Sequence, residues 1–429
     1  MAGVHGTAVS GPGAGRQAVE AVWRIESARI VGSLARYTGD FALAEDLAQE
    51  ALAQALVTWP RDGAPDNPAG WLLTVGKRRA IDAYRRRAAL DARYAALAHE
   101  LDEGTVPGAD ELGDPDRIDD DTLALMFISC HPVLSREARI ALTLRVVGGL
   151  TSDEIARAFL VPTATVQARI TRAKKALAAA RVPFELPGPE ERRERLASVL
   201  SVVYLVFTEG SSASSGAEVI RVDLAREAVR MARVLARLVP EEPEVHGLLA
   251  LLELTAARFP ARTGPDGGPV LLEDQDRRRW DRSAIRRGRA ALATAGRVGR
   301  GLGPYGVQAA IAECHAVAPS VAATDWDRVV LLYDVLVQIA PSPVVDLNRA
   351  VAVAMARGPA AGLAELEALE GREGGERLRE SHLLPAVRGE LLARLGRRDE
   401  ARAALRLAAE LCTNEAERAL LERKVTALR

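Results

Sequence analysis

Apolar residues recur at helical spacing along most of this 429-residue chain, and the clearest case lies between Thr151 and Leu177. There Val166, Ile170, Ala173 and Leu177 follow at intervals of four, three and four, which puts them on one stripe of a helix. Thr165, Gln167, Arg169, Arg172 and Lys175 are left on its outer faces. Upstream, Thr151-Ser-Asp-Glu154 reads as a capping box, in which the Thr151 hydroxyl accepts the Glu154 N–H and the Glu154 carboxylate accepts the Thr151 N–H. Leu150 and Ile155 occupy the positions of a hydrophobic staple. A short helix is therefore expected over Ser152–Phe159. Pro162 then opens a second, supplying a helical φ where no N–H partner is needed. Two short helices joined by a three-residue turn predict a helix-turn-helix reader of the DNA major groove. A plain helical hairpin with a solvated basic face fits the same spacing, so other segments have to decide.

The same periodicity predicts helices over Ala18–Tyr37, Asp40–Leu56 and Trp71–Arg87, the last apolar on one face and basic on the other. A Pro/Gly/Asp-rich loop, Pro60 to Pro68, precedes the third. The Gly-rich start, Met1–Gly15, is expected to be disordered. Glu100–Asp121 carries ten acids against one base, Arg117; it cannot bury a core and reads as a tether. Helical patterning resumes at Thr122 and runs through "SREARIALTLRVVGG", with Ser135 as N-cap and Gly148 as C-cap. From Arg192 onward, Ala/Leu-rich helices alternate with Pro/Gly loops, two of them long ("TEGSSASSG" and "ARTGPDGGP"). "NRAVAVAMARGPAAGLAEL" and "RGELLARLGRRDEARAAL" share one layout of helix, glycine turn and helix. Their turn glycines, Gly358 and Gly396, stand 38 residues apart, near the tetratricopeptide period. The fold class expected is all-α, divided into 1–17 disordered, 18–95 and 121–181 as two small helical domains joined by the acidic linker 96–120, and 182–429 as a helical extension.

Charge changes this picture only locally. Net charge is −1, and Met1–Arg181 holds 22 basic and 23 acidic residues, so overall balance says nothing about nucleic acid. Yet Thr163–Arg181 contains no acid at all. Three cysteines, none in a C-x-x-C pair, argue for a reducing compartment. The longest apolar run, Leu196–Phe207, is too short to span a bilayer, and the start lacks a signal-peptide pattern; a cytoplasmic protein is expected. Enzyme chemistry finds little support. Cys130-His131 and Cys314-His315 are adjacent pairs whose side chains diverge on a helix, with no further ligand spaced to complete a metal site. "EGSSASSG" is neither a G-x-S-x-G elbow nor a phosphate loop. No cofactor, no metal and no covalent chemistry are expected.

Three separated segments, "YTGDFALAEDLAQEALAQALVTWP", "NPAGWLLTVGKRRAIDAYRRR" and the helix-turn-helix, resemble in order and spacing an extracytoplasmic-function (ECF) sigma factor of bacterial RNA polymerase, of the sigma-70 family. "YLVFTEGSSASSG", "GPYGVQAAIAECHA", "TDWDRVVLLYDVL", "SPVVDLNRAVAV" and "TNEAERALLERK" resemble the long tetratricopeptide-like extension of one subgroup. Ser211 departs from that pattern, standing where relatives often carry an aromatic residue, and the turn Leu160-Val161-Pro162 lacks a glycine.

The resemblance implies roles. Asp46, Leu47, Gln49 and Glu50 would dock on the clamp helices of the largest core-polymerase subunit, with the helix-turn-helix domain near the flap. Asp66 and Asn67 match a base-capturing loop, and Lys77, Arg78, Arg79, Arg85 and Arg86, with Trp71 and Tyr84, would serve the −10 element, where opened strands need positive charge and aromatic surfaces. Trp71 also fits the apolar stripe, which favours packing over stacking for it. Thr165, Gln167, Ala168 and Arg169 would reach −35 base edges, while Arg172, Lys174 and Lys175 would hold phosphates. The acidic linker would thread a basic polymerase channel, and the extension would dock a protein or peptide. Besides this reading stand a stand-alone helix-turn-helix regulator with a ligand- or peptide-sensing domain, and a scaffold.

Overall fold

The computed structural model describes residues 12–88, 115–159, 161–211, 221–264, 268–299, 301–370 and 381–428. Among these the chain is helical, with one isolated β-bridge, Thr263–Pro269, and no strand. The all-α expectation therefore holds. No helix among the described residues is long and apolar enough to cross a membrane. The chain divides into two compact units, Met1–Val202 and Val203–Arg429.

In the first unit, α1 (Pro12–Thr38), α2 (Phe41–Asp62) and α3 (Pro68–Ala88) pack on one another. Their shared core holds Trp23, Ile30, Leu34, Phe41, Leu47, Trp59, Leu72 and Tyr84, all buried. Asp40 caps α2 by accepting the Leu43 N–H at 3.0 Å, which satisfies one of the free donors of the first turn. This helix runs six residues beyond Leu56 and takes in Pro60, where the sequence suggested a loop. Burial of Trp59, 5.6 Å edge-on to Trp71, carries it on, and Gly63 closes it by donating to the Trp59 carbonyl at 3.0 Å. Helix α1 likewise starts at Pro12, inside the stretch expected to be disordered; residues 1–11 lie outside those described.

The second half of this unit comprises α4 (Pro115–Ser129), α5 (Arg136–Val146), α6 (Ser152–Phe159), α7 (Thr163–Ala179) and the start of α8 (Pro189–Ser211). The acidic tether proves helical from Pro115, because its last acid is not solvated: Asp121 is buried and pairs with Arg36 at 3.1 Å. The rest of the tether, to Asp114, lies outside the described residues. Ser135 caps α5 as expected, but Gly148 is not the cap that ends it. Val147 takes that position, and the Leu150 N–H reaches back to the Leu144 carbonyl at 3.0 Å. Gly149 is the residue that needs a left-handed backbone, φ 67; a Cβ there would also meet the Ser27 hydroxyl at 2.7 Å. Ser198 of α8 donates to the Cys130 carbonyl at 2.8 Å, so residues up to 202 pack with this unit.

The second unit is a succession of helices: α9 (Val222–Leu238), α10 (Pro243–Ala256), α11 (Phe259–Arg262), α12 (Arg282–Val298), α13 (Pro304–Val317), α14 (Trp326–Ile339), α15 (Pro343–Arg357), α16 (Pro359–Glu370), α17 (Leu383–Arg394), α18 (Arg398–Leu411) and α19 (Glu415–Ala427). Buried Glu253 ties three of them together, bridging Arg233 of α9 at 2.6 Å and Arg287 of α12 at 3.0 Å. Glu244 of α10 caps α13 by accepting the Tyr305 N–H at 2.9 Å. The two expected glycine turns both have positive φ, 97 at Gly358 and 76 at Gly396, and join α15 to α16 and α17 to α18. "TEGSSASSG" is less of a loop than it reads: Thr208–Ser211 finish α8, whose Phe207 stacks on Phe259 at 6.0 Å, and residues 212–220 lie outside those described. In "ARTGPDGGP" the Gly264 N–H donates to the Gly268 carbonyl at 2.9 Å.

Candidate nucleic-acid interface

The helix-turn-helix forms as the pattern dictates. In the capping box the Glu154 N–H donates to the Thr151 hydroxyl at 3.1 Å, and the Thr151 N–H to the Glu154 carboxylate at 2.8 Å. Val166, Ile170, Ala173 and Leu177 are all buried, and four such side chains at about 1.5–3 kcal/mol for each large one suffice to seat α7. Pro162 acts as N-cap in extended conformation, one residue ahead of the position expected; Leu160 lies outside the described residues. Outward from α7 stand Gln167, Ala168, Arg172 and Lys175, exposed, with Thr165 and Arg169 half-buried.

Lys174 departs from this arrangement. Its side chain is only 14 % exposed, and its ammonium pairs with Glu45 at 2.7 Å and Asp46 at 2.5 Å, both on α2. Arg145 of α5 reaches the same Glu45 at 3.3 Å. Burial opposes the charge on Lys174, but Glu45 and Asp46 outweigh it and hold the ammonium above the ordinary lysine value. The proposed phosphate contact of α7 and the proposed docking carboxylate of α2 thus occupy each other. Glu45 and Arg145 were not picked out by sequence reasoning, because a buried acid in an Ala/Leu-rich helix has the same spacing as a solvated one. Of the other docking candidates, Gln49 is half-buried and Glu50 exposed. Leu47 is buried and anchors α2 to the core.

Around α3 the structure separates the basic residues. Arg78, Arg85 and Arg86 are exposed. Arg79 pairs with Glu50 at 2.6 Å and donates to Gln54 at 3.1 Å. Glu50, Arg79, Asp82, Arg85 and Arg86 line an open cleft of about 510 Å³, so the acid read as a polymerase contact and the arginines read as DNA contacts share one surface. Asp66 and Asn67 are exposed on the loop before α3, where Asn67 accepts the Gly70 N–H at 2.9 Å.

Two of the expected −10 contacts are corrected. Lys77 is 2 % exposed and lies 5.3 Å from the centre of the Tyr37 ring; it faces the helical core, where its stem is covered, and not the basic surface. Tyr84 is equally buried, and its hydroxyl donates to the Thr38 carbonyl at 2.8 Å, which leaves no ring face for a base. Trp71 packs against Trp59, as its place on the apolar stripe suggested. Tyr84→Phe should therefore cost the first unit about 1 kcal/mol, the worth of one buried hydrogen bond, with promoter affinity of the folded protein unchanged; urea unfolding and a DNA titration check this pair of outcomes.

Cys130, of the first Cys-His pair, reads as packing. Burial pushes the Cys130 thiol up to about 11 despite its contact with Thr143 at 3.3 Å. A grouping that sequence spacing did not announce comes from three elements: the ligand-type atoms of His382, Cys412 and Glu417 lie within 4.8 Å of one another. There His382 Nε2 stands 3.5 Å from Glu417, and the buried Cys412 thiol donates to the Asn414 carbonyl at 3.5 Å.

A three-helix bundle whose third helix is basic behind an exposed loop, and a helix-turn-helix further along the chain, are the two regions of a DNA-binding protein of the sigma-70 type. Residues 24–89 match the family described as Sigma-70 region 2 and residues 124–177 that described as Sigma-70, region 4. Residues 195–296 match a family of unknown function (DUF6596). The ECF RNA polymerase sigma factor SigL of Mycobacterium tuberculosis is 30 % identical over 171 residues, 39 % of this chain and 92 % of that protein. SigK of Mycobacterium ulcerans, another ECF sigma factor, is 28 % identical over 153 residues, 35 % of this chain and 78 % of its own length. An uncharacterized protein of Rhizobium meliloti is 47 % identical over 396 residues, 91 % of each chain. The chain belongs to the ECF RNA polymerase sigma factors.

Proposed function

We propose that the chain recruits core RNA polymerase in the cytoplasm and directs it to promoters with separate −10 and −35 elements. The observation that carries this reading is the outer face of α7, where Gln167, Ala168, Arg172 and Lys175 are exposed over a fully buried stripe. Thr165, Gln167, Ala168 and Arg169, in the N-terminal half of α7, reach base edges; Arg172 and Lys175 hold phosphates, which position without specifying. At the −10 element Asp66 and Asn67 present the capturing loop, and Arg78, Arg85 and Arg86 supply the charge along the displaced strand. The exposed face of α2, Asp46 and Glu50 with Gln49, docks on the clamp helices of the largest subunit, and the helix-turn-helix sits by the flap. The acidic linker between the two sigma regions threads a basic channel of the polymerase. The second unit, read as tetratricopeptide-like, docks a protein or peptide, and the polymerase performs all covalent chemistry.

Lys174 adds a step to this reading. While it pairs with Asp46 and Glu45, α7 and α2 cover part of each other, so polymerase docking competes with that contact. The test of the phosphate role is Arg172→Ala. Binding should weaken on all promoters alike, and the slope of log affinity against log salt should fall by about one. A loss that depends on promoter sequence would move Arg172 among the base-reading residues.

A further inference from the structure

Around Trp280 the second unit gathers three arginines, and of the described carboxylates Glu417 acts on Arg262, from beyond ion-pair distance. Arg258, Arg262 and Arg277 make no ion pair with any described acid, and the nearest acid in sequence, Asp276, pairs instead with Arg278 at 3.0 Å. The Arg277 guanidinium stands 4.5 Å from the Trp280 ring centre and that of Arg258 5.5 Å, so two cations share one buried indole. Arg262 is close enough to Arg258 for its charge to act on it. Isolated cations are normally buried only against an anion, and the aromatic face offsets part of that cost.

A second observation points the same way. Eight buried side-chain polar atoms among the described residues have no hydrogen-bond partner, and three of them meet here: Arg277 Nη2, Trp280 Nε1 and His315 Nδ1. The first two can only donate. Arg277 Nη1 is used, donating to the His315 and Ala318 carbonyls at 2.5 and 2.7 Å, and Arg258 Nε donates to Gln275 at 3.3 Å. Orphaned buried donors call for a missing partner, and surplus positive charge makes that partner an anion. Burial, reinforced by Arg262 and Arg277, brings the Arg258 guanidinium down to about 10; burial with Arg258 and Arg277 brings His315 down to about 4. The imidazole is thus neutral at physiological pH and can donate from Nδ1. The three arginines and His315 are half-buried, so the cluster reaches the surface.

We propose that Arg258, Arg262 and Arg277, with Trp280 and His315, bind a small phosphate-type oxyanion, either the free ion or the phosphoryl group of a small metabolite. Guanidinium forks match tetrahedral oxyanions through paired N–H···O bonds, and a dianion balances more of three crowded, half-buried charges than a carboxylate does. All three arginines lie in the segment matched by the family of unknown function.

The test is calorimetric titration of the full-length chain with inorganic phosphate and, in parallel, glycerol 3-phosphate, against sodium acetate and chloride at matched ionic strength. Saturable binding of either phosphate species, with none of acetate or chloride, is expected; the tighter of the two tells free ion from phosphorylated metabolite. Arg277→Gln and Arg258→Gln should each weaken binding roughly tenfold or more, the worth of a charge-assisted hydrogen bond, while exposed Arg278→Gln leaves it unchanged. Should the Arg258 and Arg277 variants unfold, hydrogen exchange on the wild-type chain decides: bound phosphate slows exchange in segments 257–281 and 313–318 and not elsewhere. No saturable binding, equal response to acetate, or binding unaltered in both folded arginine variants would overturn the assignment.

Discussion

Glu45→Ala is expected to destabilise the first unit by about 3–5 kcal/mol, the usual cost of removing one member of a buried charge cluster. Its side chain is 4 % exposed and answers two cations from different helices, Arg145 and Lys174, which are 16 % and 14 % exposed. Without Glu45, Arg145 loses its carboxylate, and Lys174 keeps only Asp46, whose side chain is 63 % exposed. Asp46→Ala should by contrast cost under about 1 kcal/mol, as for an ion pair at the surface. Because the cluster raises the folded-state value of Lys174, its contribution is fully present below the ordinary lysine value of 10.5 and is lost only as pH rises through the higher folded one. Urea unfolding of the two variants at neutral pH checks the contrast; equal, small losses would mean that the cluster does not hold α2 against α5 and α7.

Reversing the charge at Glu50 should act on the partner and not on the fold. Its side chain is 53 % exposed and its pair with Arg79, itself 38 % exposed, is worth at most about 1 kcal/mol. Glu50→Arg should therefore leave the unfolding midpoint nearly unchanged. If α2 meets a basic surface of the polymerase, the new like charge costs several kcal/mol, and affinity for the core enzyme should fall on the order of a hundredfold. A fluorescence titration against core polymerase reads this directly. Arg172→Ala, on the reader helix, should leave the same titration unaltered, which separates docking from promoter reading.

The helix-turn-helix was legible because several local signals agree there: the capping box, the proline and an apolar stripe of unbroken period. The same holds for the turns at Gly358 and Gly396, where a positive φ leaves few alternatives to glycine. Element ends were less legible. Pro60 reads as a breaker, yet Trp59 buries its ring and the helix passes through; Gly148 reads as a cap, yet the reversal falls one residue later at Gly149. The candidate site was legible as a set of basic residues and not as a surface. Lys77 and Arg78 are neighbours in the same basic run, but one points to the core and the other to solvent, a difference of 100° around α3. Nor could the chain alone reveal that Lys174 and Asp46, 128 residues apart, neutralise each other, since that depends on how α2 and α7 pack. The cation cluster at Trp280 was hidden for the same reason: in "DQDRRRW" only packing sorts half-buried Arg277 from exposed Arg278.

The most direct measurement is binding of the full-length chain to bacterial core RNA polymerase, followed by strand opening on the promoter of its own gene. One-to-one binding, with unpaired thymines appearing at the −10 element only when both proteins are present, is the predicted result. Failure to associate with the core enzyme, while sequence-specific DNA binding persists, would contradict it and make the chain a stand-alone regulator.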